Sequence, residues 1–246
     1  PVGFAIAAGL FSYLLSELSR ADFLDWGWRY PFYVAFAINV VALFARLRLV
    51  STPEYSHLLD EQELEPVSAT EIVQKQGRNL IIGALAALAS YALFHLVTVF
   101  PLSWISLYSD RSISAFLHVQ MMGAALAAVG VVISGLVADR FGRRTTLGTL
   151  ACLIAIFSGF VPMLLNGGNQ GEDLFILIGF ALLGLSYGQA AGAVSANFHA
   201  KYRYTGAALT SDLAWLVGAA FAPLVALGLS AHFGLCLLYT SPSPRD

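Results

Sequence analysis

Stretches of about 20 mainly apolar residues recur along this chain, over approximately 1–18, 30–45, 80–107, 113–138, 146–165, 174–198 and 205–229. A bilayer core about 30 Å thick takes roughly 20 helical residues, so each run has the length of a span. Backbone polar groups cannot stay unpaired in lipid, and these runs are continuously apolar where barrel strands would alternate. The expected fold class is an all-α integral membrane bundle of seven transmembrane helices. Composition agrees: 58% of residues are hydrophobic and 11% charged, against about half and a quarter in soluble domains. With 13 basic and 15 acidic side chains the net charge is -2, so no nucleic-acid partner is expected. Cys152 and Cys236 fall inside apolar runs and give neither a disulfide framework nor metal-ligand spacing, so no metal or other cofactor is expected. Pro1 already lies in an apolar run with no basic region before it. That run reads as a span and not a signal peptide, and the chain is expected to start part-way through a protein.

The connections carry the charge. The longest polar segment, 46–78, holds Asp60, Glu61, Glu63 and Glu65 and the turn Ser51-Thr52-Pro53, and reads as a solvated loop between two bundles. If the spans alternate, Arg46, Arg48, Lys75, Arg78, Arg140, Arg143, Arg144, Lys201 and Arg203 share one face, and Arg20, Arg29 and Arg111 the other. The richer face is expected in the cytoplasm. Trp26, Trp28, Tyr30, Trp104 and Tyr108 then fall at the outer boundary, where amphipathic rings are favoured.

Between the fourth and fifth runs the sequence is Gly135-Leu136-Val137-Ala138-Asp139-Arg140-Phe141-Gly142-Arg143-Arg144. A positive-inside stop explains the arginines but not the acid and two glycines at fixed offsets. Gly135 would allow close helix approach, Gly142 a turn closed to other residues, and Asp139 a pairing with an arginine or a helix N-terminus. This stretch resembles the loop motif G-x-x-x-D-R-x-G-R-[RK] of the major facilitator superfamily. Trp26-Gly27-Trp28-Arg29-Tyr30-Pro31-Phe32 and Arg203-Tyr204-Thr205-Gly206-Ala207 are similar to blocks that open the sixth and eleventh helices of its metabolite:proton symporters. That branch includes shikimate, proline/betaine and α-ketoglutarate permeases.

The resemblance maps the seven runs to helices five to eleven of a twelve-helix carrier, so the chain is expected to be a fragment. It implies that residues 1–46 hold the last two helices of one half, 47–78 the cytoplasmic inter-half loop, and 79–234 the first five helices of the other half. Residues 235–246, ending Ser-Pro-Ser-Pro-Arg-Asp, read as an artefactual tail. It also implies alternating access, with Gly135, Asp139, Arg140, Gly142, Arg143 and Arg144 as a conformational latch.

Polar groups at membrane depth are the candidates for chemistry. Tyr91, His95 and Thr98 share one face of the third run, and are expected either to contact substrate or to bond between helices. Gln120 shares a face with the small residues Gly123, Ala124, Ala127 and Ser134, a stripe that packs tightly or lines a cavity, and is expected to contact substrate. Gln189 and Asn197 lie off the glycine stripe of Gly184, Gly188 and Gly192, and are expected to contact substrate or bridge helices. Asp212, about 10 Å past Thr205 at 1.5 Å per residue, is either the carboxylate that carries the coupling proton or a partner of Lys201, Arg203 or the loop arginines.

The function implied is proton-coupled symport of a small organic acid or zwitterion by a multi-pass protein of a bacterial inner membrane. It would act as a monomer with the bilayer, protons and a small molecule as its partners, and would catalyse no covalent reaction. A non-transporting scaffold is one alternative. Gly184-Leu185-Ser186-Tyr187-Gly188 matches a serine-hydrolase pattern, but without the strand-turn-helix elbow that exposes such a serine. Lys75 and Lys201 are the only lysines and neither lies in a run, so no retinal Schiff base is available.

Overall fold

The computed structural model describes residues 1–50, 67–109, 111–196 and 198–221. Within them lie α1 (Val2–Glu17), α2 (Arg20–Asp25), a 3-10 turn (Gly27–Arg29), α3 (Tyr30–Val50), α4 (Ala69–Thr98), α5 (Phe100–Tyr108), α6 (Ile113–Phe141), α7 (Arg143–Leu165), α8 (Gly168–Ala196), a second 3-10 turn (Ala200–Tyr202), α9 (Arg203–Trp215) and a π-helical turn (Leu216–Phe221). The all-helical membrane class stands. Five segments are long and apolar enough to cross a bilayer: Gly27–Leu49, Ala69–Ser106, Ile113–Phe141, Arg143–Leu165 and Gly168–Ala190. The other two of the seven expected spans are less complete. The first is the 16-residue α1, and the last is described only to Phe221. The tail 235–246 lies outside the described residues.

Helix ends follow local chemistry. Ser19, Ser68 and Ser112 each accept a hydrogen bond from a backbone N–H in the first turn of the helix they precede, pairing donors that a helix start leaves free. Gln76 has φ -129° inside α4, which sets the polar first two turns at an angle to the apolar remainder. Between α4 and α5 the chain breaks at Val99, with Pro101 in the first turn of α5.

Because lipid is as apolar as leucine, helices here associate by close packing. The tightest crossing joins α6 and α8. A Cβ on Gly184 would run into the Ala127 backbone, and one on Gly188 would come within 2.6 Å of Ser134 Oγ. Around this crossing Phe116, Ala124, Ala127, Phe175, Ile176, Phe180 and Leu183 are buried together with Phe157 of α7 and Leu93 and Val97 of α4. A second cluster joins α4, α8 and α9 through Ala84, Ala87, Tyr91, Ala190, Phe198 and Ala214. Helix α1 packs on α6, reaching the first cluster through Phe4 and Ala5, with Ser12 Oγ 3.0 Å from Ser114 Oγ and 3.3 Å from His118 Nδ1. Helix α3 buries little, and Phe32, Phe36, Val41 and Phe44 stand exposed along it.

The two ends of the bundle differ in charge pattern. At one, Glu71 accepts from Lys75 at 3.0 Å and from the Tyr202 hydroxyl at 2.9 Å, with Lys201 at 3.7 Å. At the other, Arg111 bridges to the start of α8.

Candidate functional site

The polar stripe of α4 divides in two. Tyr91 is buried and stacks on Trp215 of α9, with centroids 4.7 Å apart and planes at 18°. Its edge meets Tyr187 of α8 at 5.8 Å. One turn on, His95 stands perpendicular to Trp215 at 5.4 Å, and Phe94 meets the same indole at 5.5 Å. Three rings of α4 thus meet one indole of α9, and α8 joins through Tyr187 against Tyr91. The His95 Nε2 atom is buried with no hydrogen-bond partner among the described residues, so this histidine joins α4 to α9 by ring packing and leaves its polar atom uncommitted. Beside the cluster is an apolar cavity of about 60 Å³ bounded by Phe4, Phe94, Phe180, Leu183, Gly184 and Tyr187. Small-molecule sites run to roughly 300 Å³ and more; this cavity is too small for an organic metabolite.

Thr98 faces elsewhere. Its Oγ1 donates to the Phe94 carbonyl at 2.6 Å, and its own carbonyl accepts from Gln120 Nε2 at 3.1 Å. Gln120 is 0% exposed and also donates to the Val97 carbonyl at 3.0 Å. Gln189 is buried and donates to Ser134 Oγ at 3.0 Å, within the α6–α8 crossing. The structure therefore brings Tyr91 and His95 together, and sets Thr98 with Gln120 and Gln189 with Ser134 in the bundle interior. Asn197 lies outside the described residues. Ser186 of the hydrolase-like pattern is buried in mid-helix and donates to the Leu183 carbonyl at 3.2 Å, in no elbow.

Helix α9 buries Gly206, Thr210 and Ala214 on one side, the Thr210 methyl filling the space a Cβ on Gly83 of α4 would take. Asp212 lies on the other side with Tyr204 and Ala208, exposed. Among the described residues it makes no ion pair, and Lys201, one of the three partners its alternative reading offered, lies against Glu71.

The loop motif forms the turn between α6 and α7. Gly142 has φ 84° and ψ 140°, a conformation closed to residues with a Cβ. Its N–H closes α6 onto the Ala138 carbonyl at 2.8 Å, and its carbonyl receives the Thr146 N–H at 3.1 Å. Arg143 Nη1 approaches the Gly192 carbonyl at the end of α8, at 3.5 Å, while Arg140 lies over the Phe141 ring at 5.7 Å. Asp139 and Arg144 are exposed. Nothing among the described residues lies within 4 Å of the place a Gly135 Cβ would take. The close approach expected of Gly135 is made by Gly184 and Gly188 of α8.

Two features went unread in the sequence. One is Trp215, three residues past Asp212 in Thr-Ser-Asp-Leu-Ala-Trp. The other is the charge cluster at the far end, where Arg111 Nη1 lies 2.6 Å from Asp173 and 3.6 Å from Glu172 and its guanidinium sits over Phe116 at 5.6 Å. Span alternation already put Arg111 and the Glu172-Asp173 pair at the same end. Glu172 is 3% exposed, so removing its cation strands a buried charge. Arg111→Ala should therefore cost about 3 kcal/mol or more of stability, read as a lowered melting temperature in detergent, with Arg111→Lys intermediate.

Comparison with known proteins follows the same residues. The family model described as Major Facilitator Superfamily matches residues 1–235. The chain is similar to an inner membrane metabolite transport protein, YhjE, of Escherichia coli strain K12, with 30% identity over 241 residues covering 96% of this chain and 55% of that protein. Similarity extends to the proline/betaine transporter of the same strain, 28% identical over 229 residues covering 87% of this chain and 45% of that one. The shikimate transporter of that strain is 25% identical over 246 residues, covering 94% of this chain and 54% of its own length. The chain thus spans about half the length of the curated relatives it matches. No solved structure matches it. Apolar helices of spanning length, the glycine-closed α6–α7 turn and the match over residues 1–235 agree, and the chain belongs to the Major Facilitator Superfamily.

Proposed function

We propose that this chain is part of a secondary active transporter of the bacterial inner membrane, one that carries a small organic acid or zwitterion together with protons by alternating access. The observation that carries the coupling is Asp212. It is an exposed carboxylate two turns into an otherwise mostly apolar helix, on the face opposite the packed one, and unpaired among the described residues. A carboxylate at membrane depth is costly unless it faces a watery path or a partner. The opposite half of the carrier supplies that path, and Asp212 takes up and releases the proton. Residues 1–46 belong to that half, 47–78 connect the halves, and 79–234 form most of the other.

Tyr91 and His95 present the substrate contact, with Trp215 holding both rings in place. His95 is suited to this because its Nε2 is uncommitted, and the small apolar cavity beside it widens when the halves part. Asn197 is a further proposed substrate contact, whereas Thr98, Gln120 and Gln189 serve the interior bonds they make. Gly142 and Arg143 fix the α6–α7 turn, and Asp139 and Arg144 engage the other half in one conformation and release it in the other. The whole carrier acts as a monomer and catalyses no covalent reaction.

The experiment is exchange. Vesicles holding the whole carrier, preloaded with unlabelled proline, glycine betaine or shikimate, should take up the labelled compound for at least one of the three or for another small organic acid. A protein that inserts correctly and exchanges none is a scaffold. His95→Gln keeps a hydrogen-bonding group without titrating near neutrality, so it should raise the Michaelis constant of exchange by about threefold to tenfold and leave proton coupling in place.

A further inference from the structure

The break between α4 and α5 sets a backbone problem. Pro101 has no N–H, so the carbonyl four residues earlier, on Val97, has no helical donor. Val97, Thr98 and Pro101 are all buried. A carbonyl left unpaired there bears its full desolvation cost. The donor comes from another helix: Gln120 Nε2 on α6 reaches both the Val97 and Thr98 carbonyls, at 3.0 and 3.1 Å. Thr98 Oγ1 turns back to the Phe94 carbonyl at 2.6 Å and closes the last turn of α4. Gln120 Oε1, buried with the rest, has no hydrogen-bond partner among the described residues.

We infer that Gln120 is a positioning residue, the pivot on which α5 turns against α4 during transport, an inference that rests on the transport reading above. On one side of the break α4 carries Phe94 and His95 against Trp215. On the other, α5 leads to Arg111 and its two carboxylates. A change of angle at Val99 therefore moves the charged end relative to the aromatic cluster. A helical N–H would fix that angle. One amide shared between two carbonyls follows it, passing from an even division to a single bond without leaving both carbonyls bare. The unpaired Oε1 keeps the brace from being fully satisfied, as a joint that opens requires.

A double-mutant cycle with Pro101 tests this in the intact carrier. Gln120→Leu removes the donor at similar volume, and Pro101→Ala returns an N–H to the Val97 carbonyl. Two measurements are made: thermal unfolding in detergent, and exchange of whichever of labelled proline, glycine betaine or shikimate the wild type carries. Gln120→Leu should lower the melting temperature and slow exchange by about tenfold with the Michaelis constant changed less than about twofold; in the Pro101→Ala background the same change should cost less than about twofold in rate. A Gln120→Leu that lowers the melting temperature equally with proline or alanine at 101 overturns the brace. A cycle coupled in unfolding but with no change in exchange rate overturns the pivot. So does a Michaelis constant raised tenfold at unchanged maximal rate, which marks direct substrate contact. If the wild type exchanges nothing, the transport reading and the pivot fail together, and the unfolding cycle still decides the brace.

Discussion

Asp212→Asn should abolish proton-driven accumulation of substrate while leaving substrate exchange across the membrane intact. The amide imitates the protonated carboxyl permanently, so the carrier can cross between states with substrate but no longer requires a proton to do so. The geometry makes the experiment clean. Asp212 is exposed on α9, away from the Gly206–Thr210–Ala214 face that packs on its neighbours, and makes no ion pair among the described residues, so its neutralisation breaks no observed contact. Assembly should be unchanged. If expression falls and the surviving molecules still accumulate substrate, Asp212 is a structural partner of the other half and another group carries the proton.

Gly184→Leu should prevent the bundle from assembling. A Cβ at 184 would overlap the Ala127 backbone, and backbone cannot move aside as a flexible side chain can. The two helices would have to separate along a seam that also holds the Gln189–Ser134 bond and the Phe175–Phe180 core. Overpacking a core typically costs 1–3 kcal/mol where side chains can repack; a clash with backbone along a membrane-helix seam should exceed about 3 kcal/mol. Fluorescence-detected size-exclusion chromatography should show aggregate in place of a single peak. Gly148→Leu is the control, because nothing among the described residues lies within 4 Å of a Cβ there, and it should give a normal peak. A monodisperse Gly184→Leu protein would contradict the packing account.

The membrane class was legible because lipid imposes one rule on every span: length and continuous apolarity. The loop motif was legible for a similar reason. Gly142 needs φ 84°, and a glycine flanked by arginines at a helix boundary announces that need. The partners of polar groups inside the bundle were not legible. Helical spacing puts Tyr91, His95 and Thr98 on one broad face, but Tyr91 and His95 meet Trp215 of α9, whereas the Thr98 hydroxyl bonds within α4 and its carbonyl meets Gln120 of α6. Gln120 read as a cavity residue because the sequence shows no carbonyl in want of a donor, although Pro101 is the signal that one exists. Gly135 read as a packing residue from its motif and has nothing among the described residues close to it, whereas the seam runs through Gly184 and Gly188 of α8, whose four-residue spacing in the sequence does point to packing. Trp215 was passed over because aromatic residues are common in membrane helices, and only the α4–α9 crossing shows that it organises the site.

The most direct test of the central claim is accumulation under an imposed pH gradient, in vesicles holding the whole carrier with wild-type sequence in this region. With the outside acidic and no other energy source, labelled substrate should rise inside above its external concentration and collapse to equilibrium when a protonophore is added. Uptake that only equilibrates, unaffected by the gradient or the protonophore, would contradict proton symport and leave a facilitator in its place.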